Sequence, residues 1–316
     1  MEPPRITMLL VYLLGFLSLV NGFVIDKSCK EVEGQISKAA ELAFKRASIA
    51  HDALAKSPLD GDIQDLAKLL FSPSTFGKAK GYHPTYVYGG IGSMAFELPS
   101  GLTPPKQDVT IFCTYDHLKK EKVKVKDDKG NEVEKEAWVD KGQTPEYKFF
   151  ADKLEECNLP NGGASNTMAL TLKQALDPKR PASQERRAFI QLCPWYLNKL
   201  TGSKFPHSGK IDFWGKIGSA LDKVVDTKTE MDTLALLEHT LLHEFSHTPL
   251  GGRTEDYEYE WKPCTGLGDK GYNNADSIAF FAQGVELIRK GLIPQKNGKI
   301  VKKTNKRDLV ASAWAA

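Results

Sequence analysis

Residues Thr229–His247 read TEMDTLALLEHTLLHEFSH and are the most strongly patterned segment of the chain. The segment contains neither glycine nor proline, and its apolar residues recur at the spacing of one helical face: Leu234, Leu237, Leu241 and Phe245. Pro249 and the pair Gly251-Gly252 follow at once and are typical residues at the end of a helix. The pattern predicts an amphipathic helix over Thr229–His247.

The last five residues of this helix are His243-Glu244-Phe245-Ser246-His247. Residues four apart lie on the same helical face, so His243 and His247 can present two imidazoles to one metal ion. Glu244 lies beside the first histidine, where a carboxylate can accept a proton from an attacking water. The alternative is a chance pair of surface histidines, and the position of the motif within a predicted helix favours the metal site.

A catalytic zinc site needs a third protein ligand. His239 lies one turn before His243, but a straight helix cannot wrap three ligands over two turns around one ion, so we expect it either to pack in the core or to support the ligands from outside. A third histidine six residues after His247 is excluded, because Arg253 occupies that position. Two acidic sources remain, which are Glu286 in a later predicted helix and the acidic run after the glycine pair.

The run Arg253–Glu260, RTEDYEYE, resembles the signature Gly-Thr-x-Asp-x-x-Tyr-Gly of the aspzincins, the deuterolysin and peptidyl-lysine metallopeptidase family. Thr254, Asp256 and Tyr259 match the signature, whereas Arg253 and Glu260 replace its two glycines. Asp256 follows His247 at the spacing of the third ligand in the peptidyl-lysine branch. The resemblance implies that Asp256 completes the site.

A second segment, Asn273-Asn274-Ala275-Asp276 with the apolar helix after it, also resembles the aspzincin segment beyond the zinc loop. The peptidyl-lysine branch uses acids near this helix to bind a lysine side chain, which makes Asp276 a candidate substrate-binding residue. Capping of the helix explains Asp276 equally well. Ala279, one turn later, offers no second acid, so lysine specificity stays open.

The resemblance covers roughly Glu230–Leu287 and implies a role for each matched residue. His243, His247 and Asp256 would bind Zn²⁺, and no other cofactor is expected. Glu244 would be the general base, and Tyr259 would stabilise the oxyanion. The implied fold is α+β and zincin-like, with the site helix packed on a small twisted sheet and further helices from both ends of the chain.

The N-terminal residues indicate export. Arg5 precedes the apolar run Ile6–Val20, and residues 1–22 have the layout of a secretory signal peptide. We therefore expect a secreted, extracellular protein that has no membrane association after cleavage. The five cysteines fit this compartment, with two disulfides and one free thiol as the simplest arrangement. Strand-like surroundings mildly favour a bridge between Cys113 and Cys193.

Composition excludes other classes of function. There are 43 basic and 40 acidic residues, and a net charge of +3 gives no reason to expect nucleic-acid binding. We expect a monomer that acts on proteins or peptides.

Local patterns predict further elements: helices at Cys29–Leu54, Asp62–Phe71 and Asn274–Lys290, strands at Val109–Tyr115 and Arg187–Cys193, and a solvated β-hairpin over Lys119–Val139.

The sequence thus predicts one catalytic domain over residues 23–316, with the site core at about 229–290. A propeptide or an N-terminal helical subdomain within 23–106 is compatible with the pattern. The predicted function is a secreted zinc endopeptidase. The alternative is a secreted binding protein with a structural or vestigial zinc site.

Overall fold

The structure is a computed structural model that describes residues 22–72, 84–98, 109–126, 129–140, 147–149, 152–157, 159, 167–173, 188–202 and 229–303. Residues 1–21, and with them nearly all of the expected signal peptide, lie outside this description. Helices occur together with small sheets, as the α+β class predicts. No described helix is long and apolar enough to cross a membrane.

The chain divides into two compact units. The first, here called the sheet unit, comprises residues 1–37, 93–205 and 248–250. The second, here called the helical unit, comprises residues 38–92, 206–247 and 251–316. All the sequence-predicted metal ligands lie in the helical unit.

The sheet unit contains two sheets among its described residues. A five-stranded sheet has the order β2-β1-β3-β8-β7, in which only the β7–β8 pair is antiparallel. A three-stranded antiparallel sheet has the order β4-β5-β6. The strands are β1 (Gly22–Ile25), β2 (Phe96–Glu97), β3 (Val109–Phe112), β4 (Leu118–Lys126), β5 (Glu132–Asp140), β6 (Tyr147–Phe149), β7 (Ala169–Lys173) and β8 (Ala188–Leu192).

Three strand predictions are confirmed in this unit. β3 and β8 lie within the predicted segments Val109–Tyr115 and Arg187–Cys193, and they pair with each other in parallel. β4 and β5 form the predicted hairpin, whose charged face sets lysines against glutamates, as in the pairs Lys122–Glu136 and Lys124–Glu134. Opposite charges directly across a strand pair stabilise it, so the charged side chains of this face compensate one another in solvent.

The cysteine count is confirmed, but the suggested pairing is wrong. Cys29 bonds to Cys113, Cys157 bonds to Cys193, and Cys264 is a buried free thiol. Cys113 and Cys193 each follow a strand, and each is joined to a cysteine from a helical segment rather than to the other. A shared strand-like context therefore does not identify disulfide partners.

The helical unit contains most of the described helices. The helices among the described residues are α1 (Glu33–Leu54), α2 (Gly61–Phe71), α3 (Pro84–Gly92), α4 (Asp152–Cys157), α5 (Pro194–Gly202), α6 (Glu230–Thr233), α7 (Leu237–His247), α8 (Trp261–Cys264) and α9 (Ala275–Arg289). Of these, α4 and α5 belong to the sheet unit, and α1 belongs to the helical unit from Lys38 onward. A short hairpin of β9 (Leu292–Pro294) and β10 (Ile300–Lys302) follows α9.

The core of the helical unit surrounds α7 and α9. The ring of Phe245 on α7 packs on Phe44 of α1 with centroids 4.7 Å apart, and Phe281 of α9 packs on Phe71 of α2 at 4.9 Å. The hydroxyl of Tyr88 on α3 donates a 2.7 Å hydrogen bond to the carbonyl of Ile278. Aromatic packing from three earlier helices thus fixes the two helices that carry the site.

The predicted Thr229–His247 helix is interrupted. It consists of α6 and α7, separated by Leu234–Leu236. Thr229 and Asp232 form a capping box at the start of α6, and the Asp232 carboxylate also accepts a 2.7 Å bond from the backbone N–H of Trp261. The apolar period continues through the break, which is why periodicity alone did not reveal it.

Two helix starts differ slightly from prediction. The helix predicted from Cys29 begins at Glu33, after a 3-10 turn over Lys27–Cys29. The helix predicted from Asp62 begins at Gly61, and its N-cap is Asp60, whose carboxylate accepts the backbone N–H of Asp62. The one-residue shift is of the size expected at helix ends, whereas the four-residue shift at Cys29 reflects the 3-10 turn before α1.

Candidate metal centre

Three side chains converge at the C-terminal end of α7. The Nε2 atoms of His243 and His247 lie 3.1 Å apart, and each lies 3.1 Å from Oδ1 of Asp256. Both histidines are buried, and the Asp256 side chain is 26 % exposed. These are the three residues that the sequence predicts as ligands, and among the described residues they form the only such cluster of potential metal-binding side chains.

The spacing of these three atoms suits zinc. Ligand bonds of about 2.0–2.2 Å in a tetrahedron place ligand atoms about 3.3–3.5 Å apart, close to the separations found here. Two imidazoles and one carboxylate are also a donor set that Zn²⁺ accepts. The residues therefore fit a zinc ion, with a fourth corner not filled by any member of the cluster.

The outer nitrogens of both rings make hydrogen bonds that fix the tautomer. Nδ1–H of His247 donates to the carbonyl of Thr254 at 2.8 Å, and Nδ1–H of His243 donates to Oδ1 of Asp276 at 2.7 Å. A proton on Nδ1 leaves the lone pair on Nε2, which faces the other ligands. Such outer hydrogen bonds orient metal-binding imidazoles and raise their basicity.

The loop after α7 folds back to bring Asp256 to the helix. Thr254 is completely buried, and its backbone N–H donates to the carbonyl of Ser246 at 3.2 Å. The hydroxyl oxygens of Thr254 and Ser246 lie 2.6 Å apart. At Gly251 a Cβ would collide with the carbonyl oxygen of Phe245, so this turn requires glycine. The glycine pair therefore ends the helix and also permits the return of the chain.

The two positions where the family signature has glycine keep a glycine-like backbone. Arg253 has φ 56° and Glu260 has φ 65°, and positive φ values favour glycine. Non-glycine residues adopt such sparsely populated conformations at a cost of roughly 1–3 kcal/mol. Both positions therefore have backbone angles that would suit the glycines of the signature.

Asn274 holds the ligand loop from the opposite side, a role that the sequence did not reveal. Asn274 is the N-cap residue of α9 by position, but its side chain makes no capping bond. Its Oδ1 accepts the backbone N–H groups of Tyr257 and Glu258 at 2.9 and 3.1 Å, and Nδ2 donates to the carbonyl of Glu258 at 3.1 Å. A buried amide next to an acidic loop is the only sequence signal that could have suggested it.

Glu244 and Tyr259 flank the three clustered side chains. Glu244 is 4 % exposed and follows His243 directly on α7. The Tyr259 ring stacks on the His243 ring, with centroids 5.9 Å apart and an 18° angle between the planes. Burial, with Asp256 nearby, raises the pKa of Tyr259 well above its usual value. The phenol therefore keeps its proton and can act as a hydrogen-bond donor.

The electrostatics of the cluster favour a cation. Burial would lower the pKa of His243, but hydrogen bonds to Asp256 and Asp276 outweigh it and hold the pKa well above its usual value. Burial would raise the pKa of Asp256, but hydrogen bonds from His243 and His247 hold it far below its usual range. A metal binds deprotonated ligands, so zinc would replace a proton at this position.

The other candidate residues lie apart from the three clustered atoms. His239 packs on Phe280 with centroids 4.5 Å apart, and its Nδ1 lies 3.1 Å from Oε1 of Gln283. Glu286, the alternative acid in the last helix, forms a 2.7 Å ion pair with Arg46. Asp276 is 8 % exposed and contacts His243 through the outer nitrogen, on the side away from Asp256.

Comparison with known proteins gives one match. Residues 220–283 match the model of the aspzincin (M35) family, described as lysine-specific metallo-endopeptidase. No curated protein and no solved structure matches the chain. The matched segment contains α7, the ligand loop and the first part of α9, and a metallopeptidase family implies a metal ion and protein or peptide substrates. Over residues 220–283 this chain is therefore similar to the aspzincin family.

Proposed function

We propose that the protein is a secreted zinc endopeptidase. The observation that carries the proposal is the triangle of His243 Nε2, His247 Nε2 and Asp256 Oδ1, with all three sides 3.1 Å long. The family match supports peptide-bond hydrolysis. The two disulfides and the expected signal peptide support secretion, since disulfides persist in oxidising compartments.

The proposed chemistry assigns one task to each residue. Zinc at this position would act as a Lewis acid on the scissile carbonyl and lower the pKa of a water molecule. Glu244 accepts the proton of the attacking water and passes it to the leaving amine. Tyr259 donates its phenolic hydrogen bond to the oxyanion, a role that its raised pKa and its 48 % exposure beside the cluster support.

The alternative is a binding protein in which zinc is only structural. Structural zinc sites are closed by four protein ligands, whereas catalytic sites have three and an open position. The cluster found among the described residues has three members. We therefore favour the enzyme.

The substitution Glu244→Gln tests the mechanism. Glutamine keeps the shape of the side chain but cannot accept the proton, so we expect peptide hydrolysis to fall by at least about 10²–10⁴-fold. Zinc content, measured on the purified protein, should stay at the wild-type level. Casein digestion with and without a chelator provides the parallel control on the wild type, and unimpaired hydrolysis by the variant would refute the role of Glu244.

We also propose that α1, α2 and α3 remain in the mature enzyme rather than leaving as a propeptide. Arg46 of α1 forms ion pairs with Glu238 on the site helix at 3.3 Å and with Glu286 at 2.7 Å. Glu238 is 1 % exposed, and a buried acid that loses its partner destabilises a protein by about 3–5 kcal/mol. N-terminal sequencing of the secreted protein should therefore find a start before Lys38.

The remaining parts of the proposal concern architecture. We propose a zincin-like arrangement within one catalytic domain over residues 23–316, and a monomer in solution. Size-exclusion chromatography with light scattering would test the oligomeric state against the mass of the processed chain.

A further inference from the structure

The first turn of α9 contacts both halves of the candidate metal centre. Asn274 and Asp276 are two residues apart, and both are buried. Asp276 contacts a ligand from the site helix, whereas Asn274 contacts the loop that carries the third ligand. This turn therefore contacts both sources of ligands.

The Asp276 carboxylate is fully engaged by the protein itself. Oδ1 accepts the Nδ1–H of His243 at 2.7 Å and lies 3.5 Å from Nε2 of His239. Oδ2 accepts the backbone N–H of Glu260 at 2.9 Å. One carboxylate thus ties the ring of a ligand to the end of the ligand loop.

These contacts argue against a substrate-binding role for Asp276. The side chain is 8 % exposed, and both of its oxygens already accept hydrogen bonds from the protein, one from His243 and one from Glu260. One turn later Ala279 is 1 % exposed and supplies no second acid. The geometry suits a carboxylate that orients an imidazole.

The Asn274 side chain uses both its acceptor and its donor. Besides the bonds to Tyr257 and Glu258, Nδ2 lies 3.1 Å from Oγ of Ser277 and 3.4 Å from Sγ of Cys264. Two backbone bonds run alongside, from Glu255 N–H to the Asn273 carbonyl at 2.8 Å and from Ala275 N–H to the Glu255 carbonyl at 3.0 Å. Asp256 lies between these anchored residues, so the amide sets its position.

We propose that Asp276 and Asn274 are positioning residues for two of the three metal ligands, Asp276 for the His243 ring and Asn274 for the loop of Asp256. The inference rests on the proposed zinc site. It gives Asp276 the role of orienting a metal ligand, His243, rather than that of binding a substrate lysine. Neither residue supplies an atom of the ligand triangle.

The substitution Asp276→Asn tests the first half. The amide still accepts a hydrogen bond but without charge, and we expect zinc affinity, measured by competition with a chelator, to fall about 10- to 100-fold. The control is Glu286→Gln, which makes the same acid-to-amide change on α9 at a residue that pairs with Arg46 and Lys290. Zinc affinity should be unchanged in the control.

Two peptides that differ only in lysine or leucine beside the scissile bond separate positioning from substrate recognition. Asp276→Asn should lower kcat/KM for both peptides by the same factor. A selective loss on the lysine peptide with wild-type zinc affinity would overturn the inference. If the wild type binds zinc but cleaves neither peptide, the proposed function fails, and the affinity measurement still decides the positioning role.

The substitution Asn274→Asp tests the second half and does not depend on the folding of the first variant. A carboxylate keeps the acceptor but cannot donate to the carbonyl of Glu258, so the loop should loosen and zinc affinity should fall about 10-fold or more. The control is Asn273→Asp, because Oδ1 of Asn273 makes no hydrogen bond within the described residues. Equal zinc affinity in Asn274→Asp and the wild type would refute the role of Asn274.

Discussion

The sheet unit and the helical unit are each stabilised internally by a different kind of contact. In the sheet unit, two disulfides link residues 84 and 36 positions apart. The described part of the helical unit has no disulfide, and its one cysteine, Cys264, is buried with its thiol 3.6 Å from the carbonyl of Glu258. Burial raises the pKa of that thiol well above its usual value, so it stays protonated.

This difference indicates that the candidate metal centre depends on short buried polar contacts rather than on covalent links. A metal ion would add a cross-link to the helical unit, as the disulfides do to the sheet unit. Chelator and reductant should therefore act on different units. The predictions below test this separation.

Removal of the third ligand should have the largest effect. Asp256→Ala takes one corner from the triangle, and we expect zinc affinity and hydrolysis to fall by more than the roughly 100-fold that changes at neighbouring groups produce. Zinc titration and a peptide assay measure the two losses. The disulfides should remain intact by thiol counting, and a variant that retained tight zinc binding would exclude Asp256 as a ligand.

Removal of a disulfide should affect stability rather than zinc binding. The double variant Cys29→Ala with Cys113→Ala opens a loop of 84 residues, which in the chain-entropy model lowers the free energy of unfolding by about 4.6 kcal/mol. Denaturant unfolding measures the loss. Zinc affinity of the folded fraction should match that of the wild type. A parallel loss of zinc affinity would contradict the prediction that the disulfides and the metal ion stabilise different units.

The sequence predicted what depends on local spacing. The histidine pair could be placed on α7 because a four-residue spacing has the same meaning in any helix. The pairing of Cys29 with Cys113 could not be predicted, because it depends on which distant segments of the chain come into contact. The same holds for Asn274, whose partners lie 16 and 17 residues earlier in the chain.

Long-range contacts also explain the missed break in the predicted helix. Leu234–Leu236 continues the apolar period, but the Asp232 carboxylate bonds to the backbone of Trp261, 29 residues away. Asp256 and Tyr259 were identified by resemblance to a family signature, since nothing in their own spacing specifies a return to the helix. The structure brings both residues to the histidines.

Loss of the Tyr259 hydroxyl should have an intermediate effect that is confined to catalysis. Tyr259→Phe removes the proposed oxyanion donor and leaves the ring that stacks on His243, so we expect kcat to fall about 10²–10³-fold. Zinc affinity should change less than kcat, because all three ligand side chains remain and only the hydroxyl contact to Asp256 is lost. Steady-state kinetics with a zinc titration test this, and a variant with wild-type kcat would remove Tyr259 from the mechanism.

The smallest expected effect concerns the altered signature glycines in the helical unit. Glu260 has φ 65° and ψ 159°, and Glu260→Gly should relieve a backbone strain of roughly 1–3 kcal/mol while it adds about 0.5–1 kcal/mol of backbone entropy to the unfolded chain. The net gain in unfolding free energy should be about 2 kcal/mol or less. Glu258 is an exposed glutamate of the same loop without a positive φ, so Glu258→Gly should instead lose about 0.5–1 kcal/mol. If the two variants change the free energy of unfolding with opposite signs in denaturant unfolding, the loop has a turn at Glu260 that favours glycine. Equal losses in the two variants would show that the Glu260 backbone is not strained.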